Sequence, residues 1–170
     1  VVAHTGAKVK INESLVDKIS GAGILLKNAN QLEVKASKIS KCTLSGIDAS
    51  EIDASLLVDH CVFDENGVAG IVASGTGSNT TFTITASDFT NNKYGAEIGN
   101  CSFTIDQIMQ FENAHGGIHI NQNSTGTIEN AGFSNNGNYA VCVSSGSSAT
   151  LKQVKLVQNP DTGVYAVSGG

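Results

Sequence analysis

Apolar residues in this chain recur in short alternating triplets, not in helical stripes. Seven triplets, Ile24-Leu-Leu26, Ile47-Asp-Ala49, Ile71-Val-Ala73, Ala96-Glu-Ile98, Ile118-His-Ile120, Val141-Cys-Val143 and Val164-Tyr-Ala166, are apolar at their first and third positions. That is the period-two pattern of a half-buried strand. Each triplet follows a corner residue: Gly23, Gly46, Gly70, Gly95, Gly117, Ala140 or Gly163, at intervals of 23, 24, 25, 22, 23 and 23. A second set of triplets runs from Val9-Lys-Ile11 through Phe82-Thr-Ile84 and Phe103-Thr-Ile105 to Ala149-Thr-Leu151. A third set ends at Val16, Ile39, Phe63, Phe89, Phe111, Phe133 and Leu156. Three residues past these stand Ile19, Cys42, Asn66, Asn92, Ala114, Asn136 and Asn159. Asn tolerates left-handed backbone and bonds neighbouring main chain, so this column reads as a corner.

Three short strands in every ~23 residues, with no helical stretch between them, cannot build βαβ units. Hairpins would lose the stacking of like on like. Coiling each strand onto its equivalent one turn later keeps it. The expected fold is all-β: a single-stranded right-handed parallel β-helix of about seven coils with three parallel sheets, each coil rising ~4.8 Å. It forms one solenoid over residues 1–170, in which 1–20 and 164–170 are incomplete terminal coils. Open ends of this kind expose unpaired backbone, so we expect a segment of a longer protein or ends covered by a partner. Phe63, Phe89, Phe111 and Phe133 should stack in one column. The coil around Gln107 to Phe111 then carries one extra residue, read as a bulge.

These repeats resemble the right-handed parallel β-helix superfamily that includes pectate lyases, other carbohydrate-active proteins, phage tail proteins and bacterial surface passengers. Phe63-x-x-Asn66, Phe89-x-x-Asn92, Phe133-x-x-Asn136 and Gly116-Gly117-Ile118 are also similar to the FxxN and GGAI signatures of surface-passenger repeats. Phe111-Glu-Asn-Ala114 departs from that signature, and only one Gly-Gly-Ile is present. The catalytic Asp and Arg sets of the pectin-degrading members have no counterpart here, so the resemblance implies fold and not catalytic residues.

Composition narrows the partners. The chain has 170 residues, net charge -5, ten Lys and no Arg. That excludes the clustered basic footprint of a nucleic-acid binder. It also removes the usual bidentate clamp on carboxylate or phosphate. No apolar run approaches the ~18 residues of a membrane span. Cys42, Cys61, Cys101 and Cys142 form no close pair and no CxxC, so isolated buried thiols are expected.

Some outward positions carry chemistry. The middle residues of the first-strand triplets place Glu97, His119, Cys142 and Tyr165 on consecutive coils of one face. A thiol beside an imidazole beside a carboxylate is the arrangement of an activated nucleophile. His119 with Tyr165 and Glu97 would instead suit acid and base roles on a polysaccharide. Polar residues also stand at outward positions for solvation alone, and the sequence favours that plainer reading. Asp48, Glu51 and Asp53 offer carboxylates for Ca²⁺, though their spacing fits no known calcium loop and a solvated acidic turn is the simpler reading. No other cofactor is implied. Thr81, Thr83, Thr85, Thr104, Thr127 and Thr150 suggest a Thr-rich outer face, the kind ice-binding solenoids use, interrupted by Lys10, Glu33 and Leu57. Asn12, Asn79, Asn100 and Asn123 begin glycosylation sequons.

The function expected from all this is a non-catalytic structural or binding module of a cell-surface or appendage protein. Its partner would be a protein or glycan surface, or further coils by end-to-end self-association. One alternative is a carbohydrate-active lyase, epimerase or hydrolase on the first-strand face. The other is an intracellular protein-interaction β-helix, which unpaired thiols would suit.

Overall fold

The structure is a computed structural model describing residues 1–29, 31–53, 55–76 and 80–167, with Glu51 described by its backbone alone. Among these residues every regular element is a strand, and every pairing is parallel between one coil and the next. The first sheet holds eight strands: Val2–Ala3, Ile24–Leu26, Ile47–Ile52, Ala69–Gly75, Tyr94–Gly99, Gly116–Asn121, Tyr139–Val143 and Thr162–Ala166. Seven strands from Lys8–Asn12 to Ser148–Lys152 form the second sheet. The third runs from Leu15–Asp17 to Lys155–Val157, again with seven. The first coil is fuller than the sequence suggested, because Val2 and Ala3 pair with Leu25 and Leu26.

Alternation puts one side of each strand into a common interior. Ile24, Ile47, Ile71, Ala96, Ile118 and Val141 stack down the first sheet, all fully buried. Leu32, Leu56, Phe82 and Phe103 stack down the second. The acidic duplication between Ile47 and Ser55 is absorbed by a bulge: Ala73 pairs with Ala49 but Gly75 with Ile52, which keeps Ile52 in the core.

The third sheet differs from expectation at one strand. Phe63 and Phe89 stack with centroids 4.9 Å apart and planes at 8°. The next residue in that column is Gln110, not Phe111, and Gln110 pairs on to Phe133. Met109 and Phe111 therefore face outward, Met109 at 41% exposure. No bulge lies here. The strand-to-strand spacing from Asp106 to Met109 repeats that from Thr85 to Asp88.

The reason lies in the Asn column. Asn66, Asn92, Asn113, Asn136 and Asn159 form a continuous buried ladder in which Asn113, not Ala114, is the member. The Oδ1 atoms of Asn92, Asn113, Asn136 and Asn159 accept from the backbone N–H of the Asn one coil back, at 3.0–3.3 Å, and Asn66 Oδ1 accepts from Cys42 N–H at 3.2 Å. Each Nδ2 in turn donates to the carbonyl of the column residue in the preceding coil: Ile39, Phe63, Phe89, Gln110 and Phe133. Moving Phe111 inward would shift Asn113 off the ladder and leave Asn92 N–H and Nδ2 buried without that acceptor. An unsatisfied buried donor costs ~1–3 kcal/mol, which favours keeping the ladder, and the register that keeps it leaves the inward Gln110 amide unpaired instead.

The ladder Asn are not the left-handed residues. Positive φ, between 45° and 55°, falls on the residue directly after every second- and third-sheet strand, from Glu13 and Lys18 to Gln153 and Gln158. Their N–H groups continue the parallel ladder around the corner, as in Ala36 to Asp59 O at 3.0 Å and Glu65 to Thr90 O at 3.1 Å. A non-Gly residue there costs ~1–2 kcal/mol, offset by a bond that a regular strand end would lose.

Candidate functional site on the first sheet

Leu25, Asp48, Val72, Glu97, His119, Cys142 and Tyr165 stand in one outward column, in register along the sheet. The coils thus bring the expected four, Glu97, His119, Cys142 and Tyr165, onto adjacent strands. Their side chains do not all meet. His119 Nδ1 lies 3.9 Å from Glu97 Oε1, and both side chains are about a quarter exposed (27% and 29%). The other ring nitrogen, Nε2, is 3.0 Å from Ser144 Oγ. Ser144 was not among the sequence candidates. It follows the triplet Val141-Cys-Val143 and sits one position beyond the Ile120–Val143 pair, beside Asn121.

Cys142 is set deeper than the other three. Only 5% of it is exposed, and burial raises its thiol above the ordinary range. Its hydrogen-bond partners among the described residues do not include His119. Tyr165 is half exposed (48%) on the last coil. The phenol that approaches His119 is Tyr139, with ring centroids 6.2 Å apart. Burial, the largest cause, pushes its ionisation far up, so the phenol stays neutral. Tyr139 lies over Gly116, where any Cβ would strike its ring. Tyr94 and His115 pair nearby, with hydroxyl and Nδ1 3.5 Å apart.

Next to Glu97 the face dips into a shallow depression of about 320 Å³ lined by Ser50, Val72, Ser74, Glu97, Gly99, Asn121 and Gln122. Gly99 makes the floor, and the Asn121 and Gln122 carboxamides lean across it, where a Cβ would touch both. Ser74 Oγ donates to Gln122 Oε1 at 3.1 Å. The lining mixes polar side chains with Val72, Ala73 and Ile98, and its one charged residue is Glu97.

Asp48 Oδ1 accepts from Ser50 N–H and Oγ at 3.2 and 2.7 Å, and the Glu51 side chain lies outside the described residues. Among the described residues no three acidic, His or Cys side chains cluster in metal-binding range. Asn79 also lies outside the described residues.

The second sheet carries a flat array of hydroxyls. Thr81, Ser102, Thr125 and Ser148 pair in one column, and Thr83, Thr104, Thr127 and Thr150 in the parallel column two residues on. Toward the other end the face becomes charged, with Glu33 held by Lys10 at 3.0 Å and Lys35 at 2.8 Å. Among the described residues no helix is long and apolar enough to cross a membrane.

The family described as a right-handed β-helix region matches residues 1–107. No curated protein and no solved structure matches the chain.

Proposed function

The chain belongs to the right-handed β-helix family, and from that premise we propose that it is an extended surface or appendage module whose second sheet binds a glycan. The observation that supports this reading is the array of eight Ser and Thr side chains, two columns deep over four consecutive coils. Hydroxyls repeat every ~4.8 Å along the rod and roughly 6.6 Å across it, a two-dimensional lattice of groups that both donate and accept. A polyol chain with regularly spaced hydroxyls meets such a lattice at many points without charge. Each contact is weak, and avidity along the repeat raises the sum. The absence of Arg from the chain also fits an uncharged polymer better than an anionic one.

Pull-down on a panel of insoluble polysaccharides tests this. At least one polymer should retain the protein. The double variant Thr104→Lys/Thr150→Lys, at two exposed positions of the array, should lose about tenfold or more in affinity while keeping its circular dichroism spectrum. Retention by no polymer, or equal retention of the variant, overturns the reading.

A further inference from the structure

We propose that Ser144, His119 and Glu97 form a hydrolytic triad that removes small acyl groups from hydroxyls of a glycan lying on the first sheet. Nucleophile, base and orienting carboxylate lie in sequence across neighbouring strands: Ser144 Oγ is 3.0 Å from His119 Nε2, and Nδ1 of the same ring faces Glu97 Oε1 at 3.9 Å. This is the mutual geometry by which a serine is activated, whatever the fold that supplies it. The carboxylate contact is longer than a hydrogen bond, as such contacts often are before substrate excludes water.

Two further features converge on the serine. Ser145 and Gly146 follow it in consecutive left-handed conformations, φ 55° and 74°, and neither N–H donates to an acceptor among the described residues. Successive amides in such a turn make an anion-holding concavity beside the nucleophile. Ser144 also continues the Ser74–Gly99–Asn121 column one coil beyond Asn121, which with Glu97 lines the depression of about 320 Å³. The alcohol portion of a substrate would rest there. Ser144 is 7% exposed, and the acyl group assigned to the substrate is accordingly a small one such as acetyl.

The chemistry balances without a cofactor. Ser144 Oγ bonds to the ester carbonyl carbon as its proton passes to His119 Nε2. The Ser145 and Gly146 N–H groups hold the oxyanion. Collapse breaks the carbon–oxygen bond to the sugar, which leaves carrying that proton. Water then adds to the acyl-serine, giving its proton to His119. The second collapse returns the proton to Oγ and releases the carboxylic acid. Glu97 touches no reacting atom and acts as a positioning residue by fixing the ring with its proton on Nδ1.

Only the identity of the alcohol rests on the glycan reading; the triad itself is tested without a glycan. Purified protein is treated with a fluorophosphonate probe and weighed intact, and hydrolysis of 4-nitrophenyl acetate is followed in parallel. One adduct is expected, mapping to Ser144, absent in Ser144→Ala and reduced at least ~100-fold in rate in His119→Gln. Both variants should keep the wild-type Tm, since the removed groups bond chiefly to each other. Glu97→Gln should lower kcat for the acetate ester with KM unchanged, which a general loosening of the face would not do. No adduct, an adduct elsewhere, or undiminished labelling of His119→Gln overturns the triad. Labelling of Ser144 by a protein that no polysaccharide retains keeps the triad and removes the sugar as its alcohol.

Discussion

At Gln110 two rules of interior packing are broken together. The side chain is fully buried, and neither Oε1 nor Nε2 has a hydrogen-bond partner. An aromatic, Phe111, faces outward from the adjacent position of the same strand. Above and below, the column is Phe89 and Phe133. Each Phe in it lies against a glycine corner: Phe63 at Gly46, Phe89 at Gly70 and Phe133 at Gly117. Gly95 offers the same space, now filled by the Gln110 amide. Gln110→Phe should therefore continue the aromatic stack and remove the orphaned amide. We expect stabilisation of ~1–3 kcal/mol, read as a higher urea midpoint at constant slope. A lower midpoint would mean that the amide has a role the packing does not reveal. The carboxamides at Asn92 and Asn113 are the opposite case, since every polar atom of the ladder between them is satisfied.

A coil depends on its corners more than on its strands. The strands are three to seven residues long apart from the two-residue pair at Val2–Ala3, and alone they would not hold. The first corner is a glycine because of its neighbours, not its own backbone angle. A Cβ at Gly70 would lie 2.6 Å from the Phe89 ring and 2.8 Å from Gly95 O. Gly70→Ala should cost ~1–3 kcal/mol by overpacking, measured by urea unfolding. At Gly163 the neighbour is Leu156 instead of a Phe, and one coil earlier the same column already carries Ala140. Elsewhere a polar corner column of Ser accepts one Cys. Ser37 Oγ, Cys61 Sγ and Ser87 Oγ all donate to the carbonyl two residues back. Cys61 is a serine equivalent in this ladder, which accounts for one buried free thiol without any redox role.

Over the whole rod, ionisable groups set a stability plateau with two different edges. Thr85, then His60 and Lys35, hold the Asp59 carboxyl below its usual value. At Asp64 burial opposes, but hydrogen bonds from Asn91, Thr90 and Lys38 outweigh it. A lowered folded pKa gives stability that is complete above the unfolded value near 4 and is lost as pH falls through the folded one. The thiols act in reverse. Burial pushes Cys101 up to about 12 and raises Cys61 as well. Their contribution is complete below the unfolded value of about 8.5 and is lost as pH rises past it. Urea midpoints should thus be flat near neutrality, fall below pH ~4 and fall again above pH ~8.5. Cys61→Ser/Cys101→Ser should make the alkaline edge shallower and leave the acid edge in place, the remainder belonging to Cys42, Cys142 and Tyr139, and an unchanged edge would assign it wholly to other groups.

Much of this architecture was legible from periodicity, for a physical reason. A coil that stacks on its own repeat must show the same apolar position at the same interval. Corner glycines, first-sheet triplets and the outward file of Glu97, His119, Cys142 and Tyr165 could thus be read directly. Register within a coil was less secure. Phe111 and Gln110 are neighbours, and hydrophobicity alone assigns the ring to the core. Only the tertiary hydrogen bonds of the Asn ladder, made between residues more than twenty apart, pull Asn113 into line and turn the ring out. The left-handed corner residues left no signal, since Glu, Ala, His, Lys, Gln and Asn all occupy them. Ser144 was equally hidden, because its meeting with His119 depends on where a side chain leans across 25 residues of sequence. The sequence by itself determined the period, the stacking and which faces look outward, because those follow from local alternation repeated many times. The tertiary structure alone decided which residue of a pair fills each column and which outward side chains touch. Those outcomes turn on satisfying buried polar groups between coils, a cost no single coil contains.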